Sequence, residues 1–273
     1  MTSRYVVFGN PIAHSMSPEI HAYFAKICNQ DISYERVLVP EGQFASLASD
    51  LFAKGLCGCN ITVPCKLDAY AFADTLTDYA KAAGAANTLK RLADGKILGD
   101  NTDGRGLIAD LERLGCQIKG KRILVVGAGG AARGILLPIL EQNPELLAIV
   151  NRNELKAFEL AKEHPQIKVV LYSSLKSQYD VIINATSASL MGKLPPLTDE
   201  VIANANFVYD LMYKQDGKTA FVEKARSLGV KESHDGLGML LGQAALSFEL
   251  WTQVRPNLHQ AYVEFSKRCG RNA

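Results

Sequence analysis

Apolar positions along this chain follow two periods in turn, one fitting strands and one fitting helices. In the first hundred residues, Tyr5–Phe8, Tyr34–Val39 and Cys59–Val63 read as strands. The segments from Ser17 to about Cys28 and from Gln43 to Phe52 read as helices. Ser17-Pro18-Glu19 opens the first helix, with Ser17 as N-cap, a proline in the first turn and an early acid. Asn87–Leu92 and Lys96–Gly99 flank Ala93-Asp94-Gly95 as a hairpin. Gly104–Leu114 is helical. Lys121–Val126 then ends in four apolar, mostly β-branched residues, which suits a strand buried on both faces. Ile135–Leu140 reads as a helix with Pro138 as a kink or break. Leu147–Val150 is a strand and Glu154–Ala161 a helix, and further strands are expected at Lys168–Leu171, Asp180–Asn184 and Phe207–Tyr209. From Met239 onward, Leu240, Ala244, Ser247, Phe248 and Trp251 recur at helical spacing.

Strands alternating with helices imply an α/β protein. A dinucleotide-type unit begins mid-chain, so it is expected as an inserted domain. The predicted organisation is an N-terminal α/β substrate domain, a Rossmann-like cofactor domain, and C-terminal helices that return to the first domain. The boundaries are drawn at 1–103 with 238–273, and at 104–237. The active site of such an arrangement lies in the cleft between the domains.

Gly127-Ala128-Gly129-Gly130-Ala131-Ala132 sits between a strand and a helix, with the spacing of a phosphate-binding turn. Gly127 permits the tight turn, Gly129 lets backbone approach a pyrophosphate, and Ala132 lets the helix pack close to the strand. Backbone N–H groups at a helix start then favour the phosphate anion. The following strand ends in Asn151-Arg152-Asn153 where NAD-binding turns carry an acid for the ribose hydroxyl. Arg152 would pair instead with a 2′-phosphate, and Lys156, one turn on, adds a second cation. This favours NADP(H), although Glu154 puts a negative charge nearby.

With 273 residues, 48% of them apolar and 21% charged, the chain can build one large or two ordinary cores. A net charge of +2 without any Lys/Arg block gives no case for nucleic acid or an anionic membrane. The longest apolar stretch, Ile123 to Leu140, is interrupted by glycines, Arg133 and Pro138, which argues against a membrane span. The opening residues do not resemble a signal peptide, so the cytoplasm is the expected compartment. Six cysteines match no metal or redox spacing; Cys57, Cys59 and Cys65, with no histidine beside them, read as small buried side chains. No metal site is expected.

Several polar residues exceed what the fold needs. Asn60 and Thr62 share one face of a strand, and Lys66 follows just past its end. Gly99-Asp100-Asn101-Thr102-Asp103-Gly104 opens a helix, where the dipole favours a carboxylate's charge; Asp103 facing Lys66 would make an acid–base pair. Ser17 has a capping role to play, while Ser15 is idle structurally and free to bind a polyol or carboxylate. Asn87 is more polar than a strand start requires, and Gln243 interrupts the apolar face of the C-terminal helix.

Along its whole length the chain resembles the shikimate dehydrogenases. The matching stretches are Phe8–Ser15, Ser17-Pro18, Asn60–Pro64, Lys66, Gly84 with Asn87-Thr88, Gly99–Gly104, Gly127–Gly130, Asn151-Arg152, Ile183–Ser187, Tyr209-Asp210 with Tyr213, and Asp235–Leu240 with Gln243. The resemblance implies reversible NADPH-dependent reduction of 3-dehydroshikimate to shikimate, in aromatic amino-acid biosynthesis. It carries the catalytic pair to Lys66 and Asp103. Substrate contacts fall on Ser15, Ser17, Thr62, Asn87, Tyr213 and Gln243, with Asn60 bordering them. Cofactor contacts fall on Gly127, Ala128, Gly129, Gly130 and Ala131, and on Asn151, Arg152, Asn153 and Lys156. They extend to Gly236, to Asp78, where the family often has an acid near the nicotinamide, and to Leu211, where it often has Met. Two departures stand out: Asn153 where the family commonly has Thr, and Ser189 where it usually has Gly, a change expected to alter how that loop closes. Rival readings are a quinate/shikimate dehydrogenase using NAD(H), and a non-catalytic NADP(H)-binding sensor. The sequence leaves the oligomeric state open, a homodimer included.

Overall fold

The computed structural model describes residues 2–176 and 178–271, together with the backbone but not the side chain of Leu190. The outermost limits of the expected domains, residues 1 and 273, therefore lie outside the described residues. Two six-stranded sheets organise the chain. The first contains β1 (Ser3–Gly9), β2 (Ile32–Leu38), β3 (Leu56–Ile61), β4 (Thr75–Leu76), β5 (Thr88–Arg91) and β6 (Ile97–Asp100), in the order β2-β1-β3-β5-β6-β4. Its first three strands are parallel, whereas β5 runs antiparallel to both β3 and β6. That reversal brings the start of β5 to the edge where β3 and β6 end. Asn87, Thr62 and Asp103 consequently emerge side by side.

Helices α1 (Ser17–Ile27), α2 (Phe44–Ala53), α3 (Lys66–Phe72) and α4 (Asp78–Ala83) belong to this half. The helix α5 (Asp103–Arg113) leads to the second sheet: β7 (Arg122–Val126), β8 (Leu146–Val150), β9 (Ile167–Val169), β10 (Val181–Asn184), β11 (Phe207–Asp210) and β12 (Glu232–Asp235). All pairings here are parallel, in the order β12-β11-β10-β7-β8-β9. The double-sided burial expected for β7 is present: Ile123 and Val125 pack into one core, Leu124 and Val126 into the other. Helices α6 (Gly130–Glu141), α7 (Glu154–Glu163), α8 (Asp199–Ala203) and α9 (Ala220–Ser227) complete this half. Then α10 (Leu237–Thr252) and α11 (Leu258–Arg268) return to pack with α1 in a separate apolar cluster.

Three sequence expectations need correction. Helix α6 starts at Gly130, not Ile135, and Pro138 lies inside it without ending it. The lost backbone bond is outweighed by burial, because Ile135, Leu136 and Ile139 are fully enclosed. Ser17 is not the N-cap of α1; Met16 holds that position without a side-chain bond. It is Ser15, given no structural role by the sequence, that accepts from the Ser17 N–H at 3.3 Å. Cys59 and Cys65 are buried as expected, whereas Cys57 is partly exposed.

Glycines set how closely the two linking helices approach. A Cβ at Gly106 would stand 2.5 Å from the backbone nitrogen of Gln243, and one at Gly242 would stand 2.6 Å from the Gly106 carbonyl. Backbone therefore meets backbone where α5 crosses α10, and Gln243 is carried to within reach of the start of α5. Among the described residues no helix is long and apolar enough to cross a membrane, and no group of three or more side chains could hold a metal ion.

Candidate functional site

A cavity of about 360 Å³ opens at the strand ends of the first sheet. Ser15, Ser17, Asn60, Thr62, Lys66, Asn87, Asp103, Tyr213 and Gln243 all line it, so the residues proposed from sequence for substrate and catalysis converge on one space. Lys66 opens α3 and Asp103 opens α5. Their side chains meet across the cavity, Nζ donating to Oδ2 at 2.5 Å. The other oxygen of Asp103 accepts from the Asn87 amide at 2.8 Å. Both carboxylate oxygens are thus engaged, and the ammonium is held beside an open space. An ammonium so placed can deliver a proton to an oxygen in the cavity.

Asn87 is itself held from several sides. Its Oδ1 accepts from the Thr102 backbone N–H at 2.9 Å and from the Thr88 hydroxyl at 2.8 Å. Its Nδ2 donates to Thr102 Oγ1 at 2.9 Å. Behind it, Asn60 donates to Thr88 and to Ser247 at 3.1 and 2.9 Å. The Asn60 carbonyl accepts from Tyr34 at 2.7 Å and meets His21 Nε2 at 3.1 Å. Since Oδ1 only accepts, the His21 proton sits on Nε2, leaving its buried Nδ1 without a partner among the described residues. Burial drives the pKa of His21 down to about 3, against a smaller upward pull from Asn60. Burial likewise raises the Tyr34 phenol well above its ordinary value. Asn60 therefore faces mainly inward, as part of the wall behind the site.

Sequence reasoning missed Thr88, Thr102, His21, Tyr34 and Ser247 as parts of this wall. One signal was available: Ser247 falls four residues after Gln243, a hydroxyl on an otherwise apolar helical stripe. Its Oγ donates to the Gln243 carbonyl at 3.0 Å.

A second cavity, about 700 Å³, follows the glycine turn. Gly127 to Ala131, Asn151, Arg152, Asn153 and Lys156 line it, as do Thr186 of the Ile183–Ser187 stretch and Met191 and Met212, which no sequence motif marks. Gly127 adopts φ +114°, a conformation for which glycine is suited, and its N–H donates to the Val150 carbonyl at 2.8 Å. A Cβ at Gly129 or Gly130 would meet nothing within 4 Å, so the space over the first turn of α6 is open for a phosphate. Asn151 fastens the turn, accepting from the Ala128 N–H at 3.2 Å and donating to the Asn153 carbonyl at 2.7 Å. Arg152 and Lys156 line this cavity and form no ion pair among the described residues. Glu154 lines a different groove. The donor set, backbone N–H groups plus two free cations, fits a dinucleotide carrying an extra phosphate.

Leu211 and Gly236, proposed for the cofactor, line the first cavity, while Met212 between Leu211 and Tyr213 lines the second. The segment Leu211-Met212-Tyr213 is therefore the shared border of the two spaces. Gly236 is packed so tightly that any Cβ would strike the Leu211 carbonyl. Burial raises the Tyr213 phenol's pKa, and Cys269 and Asp235 add to this while Arg271 opposes it. Asp78 lines neither cavity; it is exposed and pairs with Lys81 at 3.1 Å. Ser189, where the family has Gly, sits in a short 3-10 turn with its hydroxyl buried against Asn184 at 3.4 Å. It is not among the residues with positive φ, so this backbone has no need of glycine there.

Three family models match the chain in succession. They are the shikimate dehydrogenase substrate binding domain at residues 7–89, shikimate / quinate 5-dehydrogenase at 110–205, and the shikimate 5′-dehydrogenase C-terminal domain at 236–262. Shikimate dehydrogenase (NADP(+)) of Vibrio cholerae is 49% identical over 267 residues, spanning 97% of this chain and 96% of that protein. Among solved structures, an Ael1 enzyme from Pseudomonas putida is 40% identical with a TM-score of 0.92, covering 97% of this chain and 98% of that one. Shikimate 5-dehydrogenase from Thermus thermophilus, solved in complex with NADP(H) and shikimate, is 30% identical with a TM-score of 0.88, covering 98% and 100%.

Proposed function

We infer the division of labour in this cleft from one premise: the chain belongs to the shikimate dehydrogenase family. It is an NADP-dependent oxidoreductase that interconverts 3-dehydroshikimate and shikimate, a step of aromatic amino-acid biosynthesis. The substrate occupies the cavity around Lys66, and the cofactor lies along the glycine turn. NADPH, when bound, supplies the hydride for the C3 carbonyl. Lys66 supplies the proton to the oxygen, so that one C–H and one O–H bond form together and the ketone becomes the hydroxyl. Asp103 orients the ammonium and accepts a hydrogen bond from the reacting hydroxyl. In the reverse direction Lys66 takes the proton back.

Ser15 and Ser17 bind the carboxylate end, and Thr62, Asn87, Tyr213 and Gln243 bind the ring hydroxyls, with Asn60 behind them. Gly127 to Ala131 cradle the pyrophosphate, Asn151 and Asn153 hold the ribose side, and Arg152 with Lys156 pair with the 2′-phosphate. Leu211 and Gly236 border the nicotinamide. The domains divide at 1–103 with 238–273 and at 104–237. The protein works in the cytoplasm, and a homodimer is the assembly to look for by light scattering. The observation carrying this reading is the 2.5 Å contact of Lys66 with Asp103 inside a cavity lined by hydroxyl and amide side chains. The test follows reduced-nicotinamide absorbance with shikimate or quinate and with NADP⁺ or NAD⁺. Turnover is expected with shikimate and NADP⁺. Equal rates with quinate and NAD⁺ would favour the broader dehydrogenase, and no turnover at any pH would favour a sensor.

A further inference from the structure

Beyond α11 the chain reaches Arg271, which packs against the segment following Tyr213. Its guanidinium makes a two-pronged ion pair with Asp235, Nη1 to Oδ1 at 2.7 Å and Nη2 to Oδ2 at 2.8 Å. The pair is nearly enclosed, with side-chain exposures of 10% and 4%. Nε donates to the Gln215 carbonyl at 2.9 Å, and Nη2 also reaches the Lys214 carbonyl. Asp235 Oδ2 in turn accepts from the Lys214 backbone N–H at 3.1 Å. Four acceptor atoms are thereby gathered around one guanidinium, and the Lys214 N–H closes the cluster on Asp235.

The position of this cluster matters more than its strength. Asp235 ends β12 and is followed by Gly236, while Lys214 follows Tyr213; Gly236 and Tyr213 both line the substrate cavity. Arg271 extends from α11, which packs with α1 and α10, whereas Asp235 belongs to the second sheet. One side chain thus ties the returning helices to the turn bordering both cavities.

We propose that Arg271 is a positioning residue of the substrate site: its fork neutralises Asp235 and holds the Tyr213–Gln215 turn, and so sets where Tyr213 and the Gly236 turn stand. This rests on the reading of the cavity as the shikimate site. Without Arg271, a buried carboxylate loses its partner and two carbonyls lose a shared donor. Lysine keeps the charge but cannot serve the carboxylate and both carbonyls in one plane.

Arg271→Gln is expected to raise the KM for shikimate about tenfold while leaving the KM for NADP⁺ within about twofold. Arg271→Lys recovers part of the loss. In a Tyr213→Phe background the same Gln substitution adds less than about twofold, because both changes act on one contact. Should Arg271→Gln fail to fold, Asp235→Asn with Arg271→Gln leaves no unpaired buried charge and carries the same measurements. Trypsin, with cleavage mapped by mass spectrometry, reads the turn without turnover: faster cutting after Lys214 and Lys218 is expected in Arg271→Gln. Unchanged shikimate KM with unchanged cleavage overturns the proposal. So does a full effect persisting in Tyr213→Phe, or a parallel rise of both KM values. If the wild-type chain does not oxidise shikimate, the functional reading fails, and the cleavage comparison alone decides whether Arg271 holds the turn.

Discussion

The two ends of the cleft are built in opposite ways. At the substrate end, Asn87 donates to Asp103 and Thr102 and accepts from Thr88 and Thr102, while Lys66 is already paired. At the cofactor end, Arg152 and Lys156 have no ion-pair partner among the described residues, and the space over Gly129 and Gly130 is open. The first end is organised before anything binds, so reacting groups need not be rearranged when charge develops. We read the second as completed by its ligand. A change to the reacting pair at the substrate end should therefore cost rate, and one at the cofactor end should cost affinity for a particular cofactor.

Lys66→Ala tests the first half of that contrast and carries the largest expected effect. Turnover should fall by about 10²–10⁴-fold, the range for losing a positioned acid. Shikimate affinity, measured by calorimetry, should hold within a few-fold, because the hydroxyl and amide contacts remain. A variant with near-normal turnover would break the comparison outright. Arg152→Gln tests the other half. A lost charge-assisted bond to a 2′-phosphate costs about 1.5–3 kcal/mol, hence a rise of about 10–100-fold in the KM for NADP⁺. NAD⁺ has no such phosphate, so its KM should stay put. Equal losses for both cofactors would mean that Arg152 supports the turn itself.

The two ends also differed in how far they could be read from the chain. The glycine turn and Arg152 are contiguous motifs whose meaning lies in local backbone geometry, so spacing alone located them. The β7 strand was equally plain, since four apolar residues in succession suit only double-sided burial. The substrate end draws on residues from 15 to 243, and only the fold brings them together. Lys66 and Asp103 stand 37 positions apart in the chain, and it is the start of α3 that sets one opposite the other. The wall behind Asn87 was not legible, because Thr88, His21 and Tyr34 are unremarkable in sequence and acquire their roles by burial. The sequence places the start of α6 too late, at Ile135, because Gly130 and Gly134 are poor helix formers whose helicity here depends on tertiary packing.

His21 sharpens the contrast through acid. Its pKa is about 3 in the fold against 6.5 for the free side chain, burial being the cause. Below pH 6.5 the unfolded chain takes up a proton that the native protein refuses, so stability falls as pH drops towards 3 and is unaffected by this group above 6.5. Between pH 7 and pH 5 the loss amounts to about 2 kcal/mol. His21→Gln keeps a donor for Asn60 but cannot titrate. Urea unfolding at the two pH values should show a smaller drop in that variant than in the wild type. Equal drops would remove His21 as the acid-sensitive element of the substrate end.

The smallest effect is expected at Asp78, which belongs to neither end. It stands in the first turn of α4 with its side chain 89% exposed, paired with Lys81 at 3.1 Å, while Thr77 caps the helix by accepting from the Ala80 N–H. An exposed pair three residues apart on a helix is worth about 0.2–0.5 kcal/mol, and salt screens it further. Asp78→Asn should therefore leave thermal stability and turnover nearly unchanged, with the KM for NADP⁺ within about twofold of wild type. Family resemblance nevertheless puts an acid near the nicotinamide at this position. A rise of about fivefold or more in the KM for NADP⁺ (about 1 kcal/mol) would mean that α4 moves against the cofactor when it binds. The open end of the cleft would then be closed partly by the first half of the chain, and the division between a preformed end and a ligand-completed end would run through α4, not between the two sheets.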